Sequence, residues 1–298
     1  MKNLINLIDN KLDEYLKIEY PEDIFKAMKY TLMLPGKRLR PVMCIETARL
    51  LGCPAEKVMA AACAIEMLHV QSLIHDDLPC MDNDDFRRGQ PSNHKVFGEA
   101  NAVLAGDALL TYAPQLIIEK SNGLTSEQIL KIIHEYTKFA GAYGLIAGQV
   151  VDIESEGGKL VKSAEETLDF IHLNKTAVLF RLAVKIGAIA AGADDDTINK
   201  FDTFGKKFGL CFQIYDDIMD EISTFEELGK SIGKDKQSGG KLQLFVRVNS
   251  EKRLKTGTGG IFFRMLIDCP ERGIQVACPD MFKKQRVGIR CPDIVIRF

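Results

Sequence analysis

The fold is decided around the stretch His75-Asp76-Asp77-Leu78-Pro79-Cys80-Met81-Asp82-Asn83-Asp84-Asp85-Phe86-Arg87-Arg88-Gly89. Five acidic side chains lie within ten of these residues, and the mostly apolar run 60–74 leads directly into them. An acidic patch of this kind is either a solvated loop or a metal site. The residues that accompany it elsewhere in the chain distinguish the two.

Apolar residues recur at helical spacing from residue 4 to about residue 238, and few stretches alternate with period two. The series Val58, Ala62, Ile65 and Leu68 is one example. Glycine and proline turn signals divide this region into helices of about 12 to 28 residues. The pattern therefore predicts an all-α domain over residues 1–238.

Charge, cysteine content and hydropathy exclude several classes of protein. The formal net charge of −2 gives no indication of nucleic-acid binding. The eight cysteines include no Cys-x-x-Cys pair, which favours reduced thiols over a disulfide framework or a zinc site. No apolar run reaches the roughly 18 residues that a membrane span needs, and the N-terminus lacks a basic region followed by an apolar core. We therefore expect a cytoplasmic protein.

The C-terminal region differs from the rest of the chain. Residues 241–298 carry 12 Lys or Arg and 5 Asp or Glu, whereas residues 1–240 carry 27 and 36. Helical periodicity is lost there, and glycines and three Cys-Pro pairs would interrupt any long helix. We interpret residues 239–298 as an atypical, non-helical tail and hypothesise a frameshift between residues 238 and 241. Absence of a helical continuation in the other two reading frames of the coding DNA would refute this hypothesis.

A second acidic cluster lies late in the helical region. On a helix, Gln213, Asp216, Asp217 and Asp220 share one broad face, where their like charges repel unless a cation offsets them. Oxygen ligands without His or Cys favour Mg²⁺ or Mn²⁺ over zinc or copper. The cluster is a candidate magnesium site.

The first cluster indicates the same chemistry with a different spacing. His69 and Asp76 are two helical turns apart, on the face that also carries Ser72. Pro79 disturbs the helix and allows Asp82 to return beside Asp76. Two such clusters facing each other would form a multi-metal clamp for phosphate groups.

Basic side chains that could bind the same phosphates occur in separate sets. Arginine binds phosphate through two parallel hydrogen bonds, whereas lysine acts as a point charge. Arg38 is interpreted as structural, and the acidic run 194–196 as a helix cap. The remaining candidates are Lys37, Arg40, Arg87, Arg88, Lys175 with Thr176, and Lys230.

Together these motifs resemble the short-chain trans-polyprenyl diphosphate synthases, the family of farnesyl and geranylgeranyl diphosphate synthases. The resemblance covers about residues 1–238 and implies an isoprenoid-synthase-type helical bundle around a central cavity, from which the tail departs. The motifs, in the family's order, are Gly36-Lys37-Arg38-x-Arg40-Pro41, Asp76-Asp77-x4-Asp82 with Arg87-Arg88-Gly89, Asn93-His94-Lys95-Val96-Phe97-Gly98-Glu99, Leu104-Ala105-Gly106-Asp107-Ala108-Leu109, and Gln213-x2-Asp216-Asp217-x2-Asp220.

The resemblance also implies a reaction and a role for each candidate residue. An allylic diphosphate ionises, the double bond of isopentenyl diphosphate attacks the allylic cation, and the released diphosphate removes the proton. The resemblance further implies a homodimer that binds about three Mg²⁺ ions, with Mn²⁺ as a substitute. Asp76 and Asp82, with Asp216 across the cavity, bind the metal, and Asp77, Asp217 and Asp220 complete the metal-binding clusters. The allylic substrate is contacted by Arg87, Lys175, Thr176, Gln213 and Lys230, of which the last four are the catalytic candidates. Isopentenyl diphosphate is held by Lys37, Arg40, His69 and Arg88.

Three alternatives remain open at this stage. Farnesyl-producing relatives often carry an aromatic residue where this chain has Gln71, five residues before Asp76, so a geranylgeranyl product is the alternative to the expected farnesyl product. A catalytically impaired subunit would suit the aberrant tail, although it has no need for stacked carboxylates. A terpene cyclase shares the metal chemistry, but it does not need the set that holds isopentenyl diphosphate.

Overall fold

The computed structural model describes residues 1–158 and 162–222, and for residues 214–222 it describes the backbone alone. Lys230 and the tail of residues 239–298 lie outside the described residues. Within them the chain is almost entirely helical, as the sequence predicts. The α-helices are α1 (Lys2–Tyr15), α2 (Glu22–Leu32), α3 (Leu39–Leu50), α4 (Ala55–Asp76), α5 (Asn93–Phe97), α6 (Glu99–Lys120), α7 (Ser126–Ala140), α8 (Leu145–Glu156), α9 (Ala164–Ile171), α10 (Val178–Ala190) and α11 (Asp195–Ile222).

Helix α4 lies at the centre of the bundle. Every side chain from Val58 to Leu68 is buried, and Glu66 is the one charged residue among them. A helix that is apolar on almost every side is stable only when neighbours cover it all round. Helices α6 and α3 make the largest contacts with it, while α10 and α1 contact it less extensively.

Helices α4 and α6 approach very closely where the acidic stretch begins. A Cβ atom at Gly106 of α6 would lie 2.0 Å from Nε2 of His75, so a larger residue there would displace the His75 ring. His75 Nε2 lies 3.1 Å from the carbonyl oxygen of Val103. The end of α4 that carries the first acidic cluster is therefore fixed against α6.

Three features differ from the predicted run of helices of 12 to 28 residues. Helices α2, α5 and α9 are shorter, with 11, 5 and 8 residues. A two-stranded antiparallel hairpin joins β1 (Phe86–Arg87) to β2 (Gln90–Pro91), because Arg88 and Gly89 have positive φ angles and turn the chain. Residues His172–Ala177 form a π-helical turn between α9 and α10, which apolar periodicity alone does not reveal.

Helix α4 also corrects the expectation that no segment is long and apolar enough to cross a membrane. Its 22 residues include an 18-residue window of mean hydropathy 1.4, and 72% of that window is buried inside the protein. Core helices of this kind meet the same criterion, so the observation is weak evidence for a span.

Two structural interpretations made from the sequence are confirmed. Arg38 is 2% exposed and donates hydrogen bonds to Asp9, Glu66 and two backbone carbonyl groups. The Oδ1 atom of Asp194 accepts a hydrogen bond of 2.8 Å from the backbone N–H of Thr197, so Asp194 caps the N-terminus of α11. The described cysteines are all free thiols.

Candidate active site

The chain returns on itself where α4 ends, and this brings the predicted metal ligands together. Pro79 follows the helix, and the backbone N–H of Asp82 donates a hydrogen bond of 2.8 Å to the carbonyl oxygen of Asp76. Asn83, with a φ of 50°, closes the same turn by donating to Leu78. The expected return of Asp82 to Asp76 is therefore present, although the helix ends there and does not continue through a bulge.

Asp82 is exposed while Asp76 is partly buried, and the two carboxylates repel each other. Burial raises the pKa of Asp76 to about 7, opposed by Lys175 and reinforced by Asp82. Burial also raises the pKa of Asp82, again against the effect of Lys175. Two neighbouring carboxylates whose charges repel each other fit a hard divalent ion such as Mg²⁺, which would offset the repulsion.

Asp77 has a different environment from its neighbour. Its side chain is 1% exposed and accepts a hydrogen bond of 2.9 Å from Nε of Arg87, with a further contact from Nη2. Burial raises the pKa of Asp77 to about 6, while the hydrogen bond from Arg87 opposes the rise. Arg87 also lies 3.3 Å from Asp84. The structure thus uses Asp77 to hold Arg87, and metal binding by Asp77 stays a prediction.

The π-helical turn places Lys175 and Thr176 at the site. Nζ of Lys175 lies 2.6 Å from Oδ2 of Asp152 on α8. Burial works against the charge of Lys175, but Asp152, Asp76 and Asp82 outweigh it and raise the pKa of this amine above its ordinary value. Thr176 donates a hydrogen bond to the side-chain oxygen of Gln213. The lysine is therefore a permanent positive charge facing the acidic cluster.

Asp152 contacts Lys175 and is a residue that sequence reasoning missed, and Gln149 lies beside it on the same helix. They lie one turn apart on α8 beside the π-helical turn, and Nε2 of Gln149 is buried with no hydrogen-bond partner among the described residues. The signal available was the polar pair in Gly148-Gln149-Val150-Val151-Asp152, three residues apart in an otherwise apolar segment. The sequence does not show that Asp152 lies beside Lys175, so this spacing by itself indicates only an amphipathic helix.

A cationic region surrounds His69 on the neighbouring part of α4. Burial lowers the pKa of His69 well below its usual value, and Arg40, Arg88, Arg87 and Arg38 lower it further. The imidazole is therefore neutral among four guanidinium groups. Such a region fits an anionic group with several charges.

The turn before α3 supplies the rest of the cationic set. Arg40 lies over the ring of Phe180, with its Cζ atom 4.7 Å from the ring centroid. Arg88 packs on Gly36, where a Cβ atom would lie 2.7 Å from Nη1. Lys37 is exposed on the same turn. The structure thus brings Arg40, His69 and Arg88 together, and the exposed Lys37 lies at the edge of this cationic region.

The second acidic cluster lies on a helix, as predicted. Asp216, Asp217 and Asp220 are within α11, and Gln213 of the same helix contacts the π-helical turn through Thr176. Gly209 allows this approach, because a Cβ atom there would lie 2.4 Å from Cα of Ala177. Among the side chains that the structure describes, no three His, Cys, Asp or Glu residues form a metal site by themselves. The direction in which the three aspartates point stays a prediction.

Comparisons with known proteins place the chain in a family. The model of the polyprenyl synthetase family matches residues 21–253. Similar proteins include the geranylgeranyl pyrophosphate synthases of Catharanthus roseus, 48% identical over 77% of this chain, and of Capsicum annuum, 48% identical over 76%. Those alignments cover 64% and 61% of the relatives, so the chain spans somewhat under two thirds of their length. The chain belongs to the polyprenyl synthetase family.

Solved structures agree with the observed fold. A geranyltransferase from Helicobacter pylori, in complex with magnesium and isoprenyl diphosphate, has a TM-score of 0.75 and 32% identity, with 86% of each chain covered. A geranyltranstransferase from Thermotoga maritima has a TM-score of 0.67 and 34% identity, covering 87% of this chain and 92% of its own. The all-α isoprenoid-synthase fold expected from the sequence is therefore confirmed.

Proposed function

We propose that the protein is a Mg²⁺-dependent prenyltransferase that condenses isopentenyl diphosphate head to tail with an allylic diphosphate. The observation that carries the proposal is the pairing of two charge environments, one around His69 on α4 and one around the C-terminal end of α4 and the turn that follows it. The partly buried carboxylate of Asp76 and the neighbouring Asp82 face Lys175, and His69, two turns before Asp76, is surrounded by arginines. One environment suits a metal-bound diphosphate and the other a metal-free diphosphate.

The chemistry follows from where negative charge develops. Ionisation of the allylic C–O bond transfers charge to the diphosphate oxygens, and fixed positive charge there lowers the barrier. Lys175 keeps its proton and is held by Asp152, so it acts as a pre-oriented cation and not as a base. Thr176 and Gln213 are hydrogen-bonded to each other and orient this part of the site. Mg²⁺, when bound, supplies further positive charge against the diphosphate.

The metal would be held by Asp76 and Asp82, with Asp216 and its neighbours on α11 as the opposing ligands. The similar geranyltransferase from Helicobacter pylori forms a complex with both magnesium and an isoprenyl diphosphate, which supports this assignment. About three ions, with Mn²⁺ as a substitute, remain the expectation from the family resemblance.

For the product we infer geranylgeranyl diphosphate, in place of the farnesyl diphosphate expected from the sequence. Several relatives at 44–48% identity are named geranylgeranyl synthases. Gln71 and Ser72, just before the acidic stretch, are smaller than the aromatic residues that would close a shorter pocket. The solved relatives include geranyltransferases, so product length needs its own measurement.

The test is incubation of the full chain with Mg²⁺, isopentenyl diphosphate and, in separate reactions, dimethylallyl, geranyl or farnesyl diphosphate. We expect diphosphate release and a product of twenty carbons from each, resolved by chromatography. A folded protein that releases no diphosphate would contradict the proposal and favour a catalytically impaired subunit.

We further propose a homodimer located in the cytoplasm, with residues 1–238 as its synthase domain and residues 239–298 as an atypical tail. Val103, Leu104 and Ile118 are 40%, 54% and 61% exposed on α6, which supports burial of this helix against a second copy. One relative is named a large subunit of a heterodimeric synthase, and several plant relatives are named chloroplastic.

A further inference from the structure

A buried carboxylate outside the acidic clusters connects two parts of the cationic region. Glu66 lies on α4 with its side chain 2% exposed. Its Oε1 atom is 2.8 Å from Nη1 of Arg38 and 3.8 Å from Nη2 of Arg88. The two arginines come from the turn before α3 and from the hairpin β1–β2, so one carboxylate links two segments that are far apart in the chain.

Arg38 cannot leave this contact for water. Its side chain is 1% exposed, and it donates to the carbonyl oxygens of Leu32 and Leu34 at 2.8 and 3.1 Å. Asp9 accepts from its Nε at 2.7 Å and makes no contact with Arg88 among the described ion pairs. With a φ of 46° at Arg38, the backbone depends on these contacts to hold the turn that presents Lys37 and Arg40.

Arg88, from the hairpin, is held against the turn before α3 by weaker contacts. It donates to the carbonyl oxygen of Leu34 at 3.2 Å and packs over Gly36. Like Arg38, Arg88 has a positive φ, of 53°. Arg38 and Arg88 thus share the acceptor Leu34 although their charges repel. Glu66 is the carboxylate that faces both guanidinium groups.

We propose that Glu66 is a positioning residue that keeps Arg88 beside the turn of residues 36–40, and thereby assembles the subsite for the diphosphate of isopentenyl diphosphate. This inference rests on the proposed function. Glu66 does not touch the substrate. It acts through Arg88 and Arg38.

Two effects of removing its charge have opposite signs. Loss of a negative charge near the subsite would strengthen attraction of an anion by Coulomb's law. Loss of the shared negative charge would leave Asp9 to offset the charge of Arg38, so that Arg38 repels Arg88 and displaces it from Gly36. Because Arg38 cannot move to water, we expect the displacement of Arg88 to be the larger effect, so binding should weaken.

The experiment compares Glu66→Gln with Asp9→Asn in the full chain. Both substitutions remove one carboxylate from Arg38, but only the first removes a contact of Arg88. Isothermal titration with isopentenyl diphosphate, without the allylic substrate, gives Kd directly, and melting curves report the stability of each variant. We expect Kd to rise about tenfold in Glu66→Gln, the loss of one charge-assisted contact, and to stay near the wild-type value in Asp9→Asn.

The possible outcomes separate the two proposals. Unchanged or tighter binding in Glu66→Gln, or equal weakening in both variants, would overturn the positioning role. If Glu66→Gln does not fold, Glu66→Asp serves as the second variant, because it withdraws the same charge by one methylene group. Its Kd should rise to a smaller extent, and an unchanged Kd would also overturn the positioning role. A wild-type protein that binds isopentenyl diphosphate without turnover contradicts the proposed function alone, whereas one that does not bind it contradicts both.

Discussion

Asp76 and Asp77 are adjacent in the chain, but their carboxylates have different partners. Asp76 faces Asp82 across the turn and Lys175 across the site, with no arginine hydrogen-bonded to it among the described contacts. Asp77 points to the other side of α4 and pairs with Arg87. Successive residues on a helix diverge by about 100°, so the two adjacent aspartates at its end face different partners.

Substitution of these two residues should therefore have different consequences. Asp76→Asn removes a desolvated carboxylate, so we expect unchanged or higher thermal stability, a large increase in the Mg²⁺ concentration for half-maximal activity, and a rate about a hundredfold lower. Asp77→Asn leaves Arg87 without its buried partner and should cost about 3–5 kcal/mol in the free energy of unfolding. Melting curves and Mg²⁺ titrations of activity measure both. Equal Mg²⁺ dependence in the two variants would contradict the division of roles.

Gln71 is the residue at which product length can be tested. Its Nε2 atom lies 3.1 Å from Nδ1 of His75, in the turn before the acidic stretch. Gln71→Tyr adds bulk on this side of α4, so we expect a shorter product or the same product, and never a longer one. Chromatography of radiolabelled products checks this, with Cys80→Ser, an exposed position in the same segment, as the control. A longer prenyl product from Gln71→Tyr would contradict the idea that residue 71 forms the floor of the product pocket.

At the scale of elements, the π-helical turn is held by close approach on two sides. Gly148 of α8 packs against the backbone of Asn174 and Lys175, and Gly209 of α11 packs against Ala177. No side chain fits at either contact, because a Cβ atom would lie within 2.5 Å of main-chain or Cβ atoms. The spacing between α8, the turn and α11 is thus set by two glycines. It determines whether Lys175 reaches Asp152 and Thr176 reaches Gln213.

Gly148→Ala should therefore disturb catalysis through the position of Lys175. The added Cβ atom would lie 2.4 Å from the backbone nitrogen of Lys175, and overpacking of this kind costs about 1–3 kcal/mol. We expect lower stability. We also expect the fold reduction in kcat to exceed the fold change in the KM for either substrate. Gly157→Ala, at the end of the same helix, is the matched control, because its Cβ atom meets nothing closer than 3.6 Å and its φ is −72°. A Gly148→Ala variant with the rate of the control would contradict this role of the contact.

For the whole molecule, the outer side of α6 is the surface that the proposed dimer would bury. Leu104 and Ile118 are separated by about four helical turns, and both are more than half exposed. Apolar residues aligned in this way are typical of an interface between subunits.

The double variant Leu104→Asp/Ile118→Asp should shift the protein from dimer to monomer, because each charge would be buried unpaired at the interface. Size-exclusion chromatography with light scattering measures the mass in solution. Ile18→Asp, at a 48% exposed position between α1 and α2, is the control and should leave the dimer intact. A dimer that persists in the double variant would place the interface elsewhere.

The sequence by itself determined the fold class and the local arrangement of the first acidic cluster. Helical periodicity predicted the all-α domain because apolar residues three and four apart form one face of a helix, and that face must be buried. The proline after α4 predicted the return of Asp82 because proline cannot continue a helix. The capping role of Asp194 was predictable because it depends on the end of the helix that follows it.

Only the tertiary structure decided which charges meet. Asp152 opposes Lys175 from 23 residues away, Glu66 joins two arginines from separate segments, and Asp77 pairs with Arg87 while its neighbour Asp76 faces Asp82. These pairings depend on the distance between packed helices, which glycines such as Gly148 and Gly209 set and which no sequence period encodes. The pKa of each buried carboxylate likewise depends on neighbours that only the packed bundle supplies.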